Sequence, residues 1–266
     1  MFPFIYRGDD YVLYSYFLGQ GIAYTIFVLS FFSESKKLNI PRKHFLNASI
    51  IIVLSSSFGG KWASALLQGY SPLKDSLEFL NIWSGGQVFY GGLFLSLLAI
   101  FFYTVAKRLS FITMLDALSK PSLLGYSFFR LFACFLTGCC YGKPTTLKIG
   151  LSFKPGTFAY QKFGDYPLHP VQLYEFFGGI LGFITLHIIE KKKKLRSGDR
   201  LLFFLLIFSI IRFLSEFFRG DITLFVIRFP LPFTVVSPRN IYMADSRPLS
   251  VHLNLFLYIL KEEDYL

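Results

Sequence analysis

Leu168-His169-Pro170-Val171-Gln172-Leu173-Tyr174-Glu175, continued by an apolar run from Phe176 to Ile189 and closed by Lys191-Lys192-Lys193-Lys194, is the stretch that decides the fold. Pro170 lacks a backbone donor and has a fixed φ, which suits the first turn of a helix, so a helix is expected to start here. Its apolar length matches the roughly 30 Å of a bilayer's hydrocarbon core. Four consecutive lysines cannot follow it into hydrocarbon and mark the inner side of a membrane. Gln172 and Glu175 are three apart and share a face, with His169 just outside the helix. A carboxylate in the first turn also meets the positive end of the helix dipole. Taken alone, the polar group reads equally well as an interfacial cap.

Composition extends this reading to the whole chain. Of its 266 residues 53% are hydrophobic and 20% aromatic, with 34 Phe, and the mean hydropathy is +0.51. A soluble domain could not hide so much apolar surface, so a polytopic helical membrane protein is expected. The net charge of +11 does not indicate nucleic acid, because the basic residues cluster between apolar spans, where they read as topology and headgroup signals. The start is acidic and no small-residue cleavage site follows the first span, so no cleavable signal peptide is expected.

Six spans follow from the hydropathy: about Tyr11 to Phe32, Phe45 to Leu67, Gly86 to Val105, Ser122 to Tyr141, Pro170 to Ile189 and Leu201 to Phe218. The second is expected to be broken by Ser55-Ser56-Ser57 and Gly59-Gly60-Lys61, and Asp116 and Pro121 to precede the fourth. Lys36, Lys37, Arg42 and Lys43, then Lys107 and Arg108, then the four lysines all fall on one side if the N-terminus lies outside. Residues 142–168 would form a small external element of strands and turns between the fourth and fifth helices. A seventh span is expected within 222–266, where Thr223 to Val236 is apolar but holds Arg228, Pro230 and Pro232, and Leu249 to Leu260 is short. The architecture is therefore all-α, one transmembrane domain of about seven helices.

Four polar clusters stand out, since a charge in a bilayer costs about 2.5 to 3.5 kcal/mol on insertion scales. Arg212, Glu216 and Arg219 share one face of the sixth span, with Asp221 beyond. They form either a self-neutralising pair or an anion site in which Glu216 orients Arg212 toward a phosphate. Arg130 has no counter-charge near it in sequence and needs a partner from another helix or a ligand. Gly138-Cys139-Cys140-Tyr141-Gly142 suggests tight backbone at a membrane exit. The thiols there could be nucleophiles or metal ligands, but lacking a Cys-x-x-Cys with paired His they are expected to be packing residues, with no metal and no cofactor. Gly85-Gly86-Gln87-Val88-Phe89-Tyr90-Gly91-Gly92 permits close helix approach, or aims a phenol into a lipid cavity. On four helices at one level, these clusters suggest an apolar-walled cavity for a lipid with an anionic headgroup.

Over about Tyr16 to Asp221 the chain resembles the prolipoprotein diacylglyceryl transferases of bacterial inner membranes. The resemblance rests on Tyr16, the Gly86-to-Gly92 block, Asp116, Arg130 through Thr145, His169 through Glu175, and Arg212-x-x-x-Glu216-x-x-Arg219-Gly220-Asp221. It implies seven helices with the N-terminus outside. It also implies transfer of the diacylglyceryl group of phosphatidylglycerol to the lipobox Cys of a prolipoprotein signal peptide, with release of glycerol phosphate. Arg130 and Arg212 would hold the phosphate, Glu175 and Glu216 would orient them or the headgroup, and His169 would complete the catalytic set. Tyr16, Tyr90, Gly142, Gln172, Tyr174 and Arg219 would bind substrate.

The chain departs from the family pattern in three places. Tyr90 stands where the family has a His between paired glycines. Ala133-Cys134-Phe135-Leu136-Thr137-Gly138-Cys139 replaces Gly-Asn-Phe-x-Asn-Gly-Glu, so an acid becomes a thiol. Arg130 lies one residue further from Gly142, about 100° around a helix unless a local bulge absorbs it. Tyr90 and Cys139 leave open a related transferase with another acceptor, or a lipid-binding paralogue without catalysis.

Overall fold

The computed structural model describes residues 4–7, 12–67, 69–70, 79 and 87–221. Gly85, Gly86 and the segment expected to hold a seventh helix lie outside the described residues. A short antiparallel hairpin, β1 (Phe4–Arg7) with β2 (Val12–Tyr14), leads into the helices. The helices are α1 (Ser15–Lys37), α2 (Arg42–Leu67), α3 (Phe89–Ala106), α4 (Phe111–Phe129), the short α5 (Phe158–Phe163), α6 (Val171–Lys192) and α7 (Asp199–Phe218). Among the described residues five of these, α1, α2, α3, α6 and α7, are long and apolar enough to cross a membrane. Phe94, Phe102, Phe177, Leu202 and Phe213 point outward from them, surface that hydrocarbon rather than water would cover.

Two expectations about the helices are corrected. The second span is not broken: α2 runs without interruption through Ser55-Ser56-Ser57 and Gly59-Gly60. The serines return their hydroxyls to the preceding turn, as Ser55 Oγ does to Ile51 O at 2.6 Å and Ser57 Oγ to Val53 O at 2.9 Å. The glycines serve packing instead. A Cβ on Gly59 would lie 2.5 Å from Gly91 O, and one on Gly92 would lie 2.6 Å from Ser56 O, so the backbones of α2 and α3 touch.

Asp116 and Pro121 do not precede the fourth helix but lie inside it, because α4 already begins at Phe111, capped by Ser110. Asp116 reaches across to the start of α7, accepting from Gly198 N at 2.6 Å and Leu201 N at 2.9 Å. It thereby supplies from another helix the cap that Gly198 cannot. Lys120, 1% exposed, is shared by Glu34 at 2.9 Å and Glu190 at 2.6 Å, and Arg200 completes the network on Glu190 at 2.7 Å.

α1 packs on α4, α2 on α3, and α6 against both α4 and α7. The core shared by α1 to α4 includes Phe27, Phe31, Phe45, Ile100, Met114 and Ala117. In the 142–168 connection the expected strands are isolated bridges, Pro144 and Leu151 each pairing with Leu168. The short α5, capped by the Thr157 hydroxyl, adds a helical turn there. Tyr141, Phe153, Ala159 and Leu168 close a small core beneath it.

Candidate active site

The site is assembled where α4 ends, α6 begins and α7 ends. α4 does not stop at Phe129 but passes into a π-helical stretch, Arg130–Phe135, whose wide turns end with Cys139 N donating to Cys134 O at 3.2 Å. A π turn takes one residue more than an α turn. It thus offers the local bulge that an arginine one residue further from Gly142 requires. The outward-swollen backbone needs room, and Gly19 of α1 provides it: a Cβ there would stand 2.2 Å from Phe132 O.

Arg130, left by the sequence without a counter-charge, finds one forty-five residues on. Its Nε lies 2.6 Å from Glu175 Oε2, and its guanidinium sits 5.1 Å from the centre of the Tyr126 ring. Glu175, wholly buried in the first turns of α6, also accepts from Arg212 Nη1 and, at 2.8 Å, from Ser215 Oγ. One carboxylate therefore bridges two arginines from different helices, and this inner trio carries one net positive charge. The helical pairing of Arg212 with Glu216 is present at 3.2 Å, but Glu216 is the more exposed partner, and Arg219 lies 4.0 Å from it. Arg219 is instead held in a two-bond fork by Asp221, at 2.9 and 2.7 Å.

The remaining expected residues frame this trio. Gly142 pairs with Arg219, and Lys143 N donates to Phe218 O at 2.8 Å, tying the loop after the π stretch to the end of α7. A Cβ on Gly142 would meet His169 O at 2.3 Å and Phe218 O at 2.9 Å, so only glycine fits. His169 Nδ1 lies 3.1 Å from the Tyr174 hydroxyl and its ring packs on Phe218. Among the described contacts it meets these rather than the arginines.

Gln172 Nε2 donates to Cys139 O at 2.7 Å, while its buried Oε1 has no partner among the described residues, a place where a ligand or water is expected. Tyr16 packs edge-on against Phe129, next to Arg130. Tyr90 touches Phe89, which packs on Tyr126, so it stands one ring behind the layer under Arg130.

Three features were missed from the sequence. Ser215, the third donor to Glu175, carries no signal beyond a hydroxyl one turn after Arg212. Gln20, Tyr24, Ser56 and Gln87 form a hydrogen-bonded chain across α1, α2 and the start of α3, with Gln20 Nε2 to Gln87 Oε1 at 3.0 Å and Tyr24 to Ser56 at 2.7 Å. An apolar groove of about 380 Å³ runs between α6 and α7, lined by Tyr174, Gly178, Gly182, Ile207, Ile211 and Ser215 among others. Its upper end is thus at the hydroxyl that binds Glu175. A second recess of about 410 Å³, beside Lys120 and His187, shares no lining residue with it.

Comparison with known proteins shows what the chain is similar to. The family model described as prolipoprotein diacylglyceryl transferase matches residues 9–245. A phosphatidylglycerol–prolipoprotein diacylglyceryl transferase of Clostridium tetani is 30% identical over 224 residues, 83% of this chain and 86% of that protein. The enzyme numbered 2 in Clostridium perfringens is 28% identical, over 79% of this chain and 80% of its own length. One from Polynucleobacter necessarius reaches 33% over 63% of this chain and 61% of its own.

Proposed function

Because the chain belongs to the prolipoprotein diacylglyceryl transferase family, we propose that it moves the diacylglyceryl group of phosphatidylglycerol onto the lipobox cysteine thiol of a prolipoprotein signal peptide. The observation that carries the residue assignment is the single buried carboxylate, Glu175, shared by Arg130 and Arg212. One net positive charge in a low-dielectric site suits the single negative charge of a phosphodiester. Guanidinium forks hold phosphate oxygens with more donors than the shared carboxylate consumes.

In this reading the acceptor sulfur attacks the glyceryl carbon next to the phosphate. The carbon–oxygen bond breaks with its electron pair on the phosphate oxygen, and glycerol phosphate leaves with one charge more than the diester had. Arg130 and Arg212 stabilise that developing charge from fixed positions. Glu175, itself fixed by Ser215, sets their spacing, and Glu216 and Asp221 orient Arg212 and Arg219. The groove between α6 and α7 takes an acyl chain, so tail and phosphate meet at Ser215. His169, Gln172 and Tyr174 hold the entrance around Gly142. Tyr16 lines its far side, and Tyr90 backs the Tyr126 layer from behind Phe89.

The distribution of Lys and Arg supports an N-terminus outside, with the Arg130 level toward the outer face of a bacterial inner membrane and the Lys120 network near the inner one. Along α4 those two levels are about 15 Å apart.

The test uses the purified chain in phosphatidylglycerol vesicles with a lipobox peptide bearing one Cys, following peptide mass and glycerol phosphate together. Matched gain of diacylglyceryl and release of glycerol phosphate is expected, and Arg212→Ala should lower both by about 10²- to 10³-fold or more. Undiminished transfer by that variant would refute the phosphate assignment. Release without peptide modification would favour a different acceptor, the reading to which Tyr90 and Cys139 point.

A further inference from the structure

We propose that Cys134, Cys139 and Cys140 form a binding site for a soft d10 metal ion, Zn²⁺ suiting the chemistry best, whose open position takes the acceptor thiol. This rests on the transfer reaction proposed above for the same site. In sequence the three cysteines have no metal-binding spacing; in space their Sγ atoms all lie within 4.8 Å of one another. Zinc–sulfur bonds of about 2.3 Å place tetrahedral thiolates about 3.8 Å apart, so a side-chain adjustment of about 1 Å would bring the trio onto an ion.

The backbone is arranged to make them converge. The π stretch carries Cys134 inward, Gly138 turns at φ +68°, and Cys140 takes a left-handed φ of +55° that side-chain-bearing residues disfavour. Gln172 fixes the Cys139 carbonyl from α6 at 2.7 Å, and Thr137 Oγ1 lies 3.4 Å from Cys139 Sγ. These are outer contacts of the kind that orient metal ligands.

Two further observations connect the trio to the reaction. Cys134 is buried while Cys139 and Cys140 are half-buried, and the group contains no His or carboxylate as a fourth ligand among the described residues. Three protein ligands with an open fourth position is the pattern of a reactive rather than a structural zinc site. The trio also adjoins the phosphate-binding charge, with Arg130 Nη1 3.6 Å from Cys134 Sγ.

The acceptor thiol, entering the open position, displaces water and loses its proton to solvent. Its sulfur then attacks the glyceryl carbon while the carbon–oxygen bond breaks toward phosphate. The thioether formed is a poor ligand and departs, and the proton released balances the extra charge on glycerol phosphate.

The experiment uses the full chain purified under reducing conditions in detergent with phosphatidylglycerol. Bound metal is measured directly, and Cd²⁺ is titrated while its ultraviolet thiolate charge-transfer band is followed. One ion per chain is expected, with the band strongly reduced in each of Cys134→Ser, Cys139→Ser and Cys140→Ser. Because a thiol of pKa near 8.5 is only about 3% ionised at pH 7, removing the ion from the wild-type protein should slow peptide modification by up to about 30-fold there. The deficit should shrink as pH rises toward 8.5, and one equivalent of Zn²⁺ should restore the rate. Three titratable free thiols with no bound ion and no Cd²⁺ band in the folded protein would overturn the site. A bound ion whose removal leaves the rate unchanged at every pH would overturn its role in transfer. Metal binding by a protein that transfers to no thiol would instead uphold the site and count against the transferase reading.

Discussion

Glu175→Gln removes a charge and almost no volume, which makes it the sharpest probe of the inner trio. The wild-type carboxylate is fully buried and holds Arg130 Nε at 2.6 Å, Arg212 Nη1, and Ser215 Oγ at 2.8 Å. The amide keeps one acceptor but turns an N–H toward a guanidinium, and two buried cations then face each other across a neutral group. Removing one partner of a buried ion pair costs about 3 to 5 kcal/mol. Some relief exists: Arg212 keeps Glu216 at 3.2 Å, whereas Arg130 keeps the Tyr126 face at 5.1 Å, an interaction of about 1 to 2 kcal/mol. A net loss of about 3 kcal/mol in unfolding free energy is expected.

If the carboxylate sets the spacing of the phosphate-binding arginines, peptide modification should also fall by about 10²- to 10³-fold. Glu216→Gln is the matched control for charge removal. Its carboxylate is partly exposed with contacts of 3.2 and 4.0 Å, so it should cost less than about 1 kcal/mol and slow transfer less than tenfold. Denaturant titration in mixed micelles, scored by retained fold, reads the first quantity, and vesicle transfer reads the second. A Glu175→Gln protein within threefold of wild type on both measures would show that the trio is neither a stability element nor a phosphate clamp.

Three other substitutions separate support from chemistry. Gly19→Ala drives a methyl toward the Phe132 carbonyl at 2.2 Å, and because the obstruction is backbone it should cost more than the 1 to 3 kcal/mol typical of overpacking. Hydrogen exchange across 130–138 should accelerate while exchange in α2 does not. Lys120→Met takes from Glu34 and Glu190 their shared buried cation but leaves them Lys37 and Arg200, so the same titration should show a loss below the about 3 to 5 kcal/mol of an uncompensated buried charge. Transfer per folded molecule should persist, since Lys120 stands about 15 Å along α4 from Arg130. Asp116→Ala removes both backbone acceptor contacts at the start of α7, for about 1 to 2 kcal/mol, read as faster amide exchange at 198–201.

The helices were largely legible because hydrocarbon demands long apolar runs bounded by charge, and those runs survive in α1, α2, α3, α6 and α7. What could not be read is how polar residues inside them find partners from elsewhere in the chain. Asp116 and Pro121 looked like the flank of a helix; the Lys120 between them is tolerated inside one only with Glu34 and Glu190 in place, and these come from α1 and α6. Serines and glycines in α2 looked like a break because local propensity disfavours them, whereas α3's own glycines turn that weakness into close packing. The same limit applies to the site. Arg212 and Glu216 were visible as neighbours on one helix, yet the stronger partner of Arg212 is Glu175, on another.

The arginine that seemed one residue out of place sharpens this point. An insertion in an α-helix turns everything beyond it by about 100°, which would aim Arg130 away from α6. At Arg130–Phe135 the chain takes a π turn, and Arg130 faces Glu175 while Gly142 stays wedged between His169 and Phe218. Such a turn is tolerated only where a neighbour yields space, and the neighbour is Gly19, on α1, more than a hundred residues earlier. Arg130, the π stretch and Gly19 are therefore one device. The register of the fourth helix depends on a missing side chain in the first, which no pattern within the fourth helix could have disclosed.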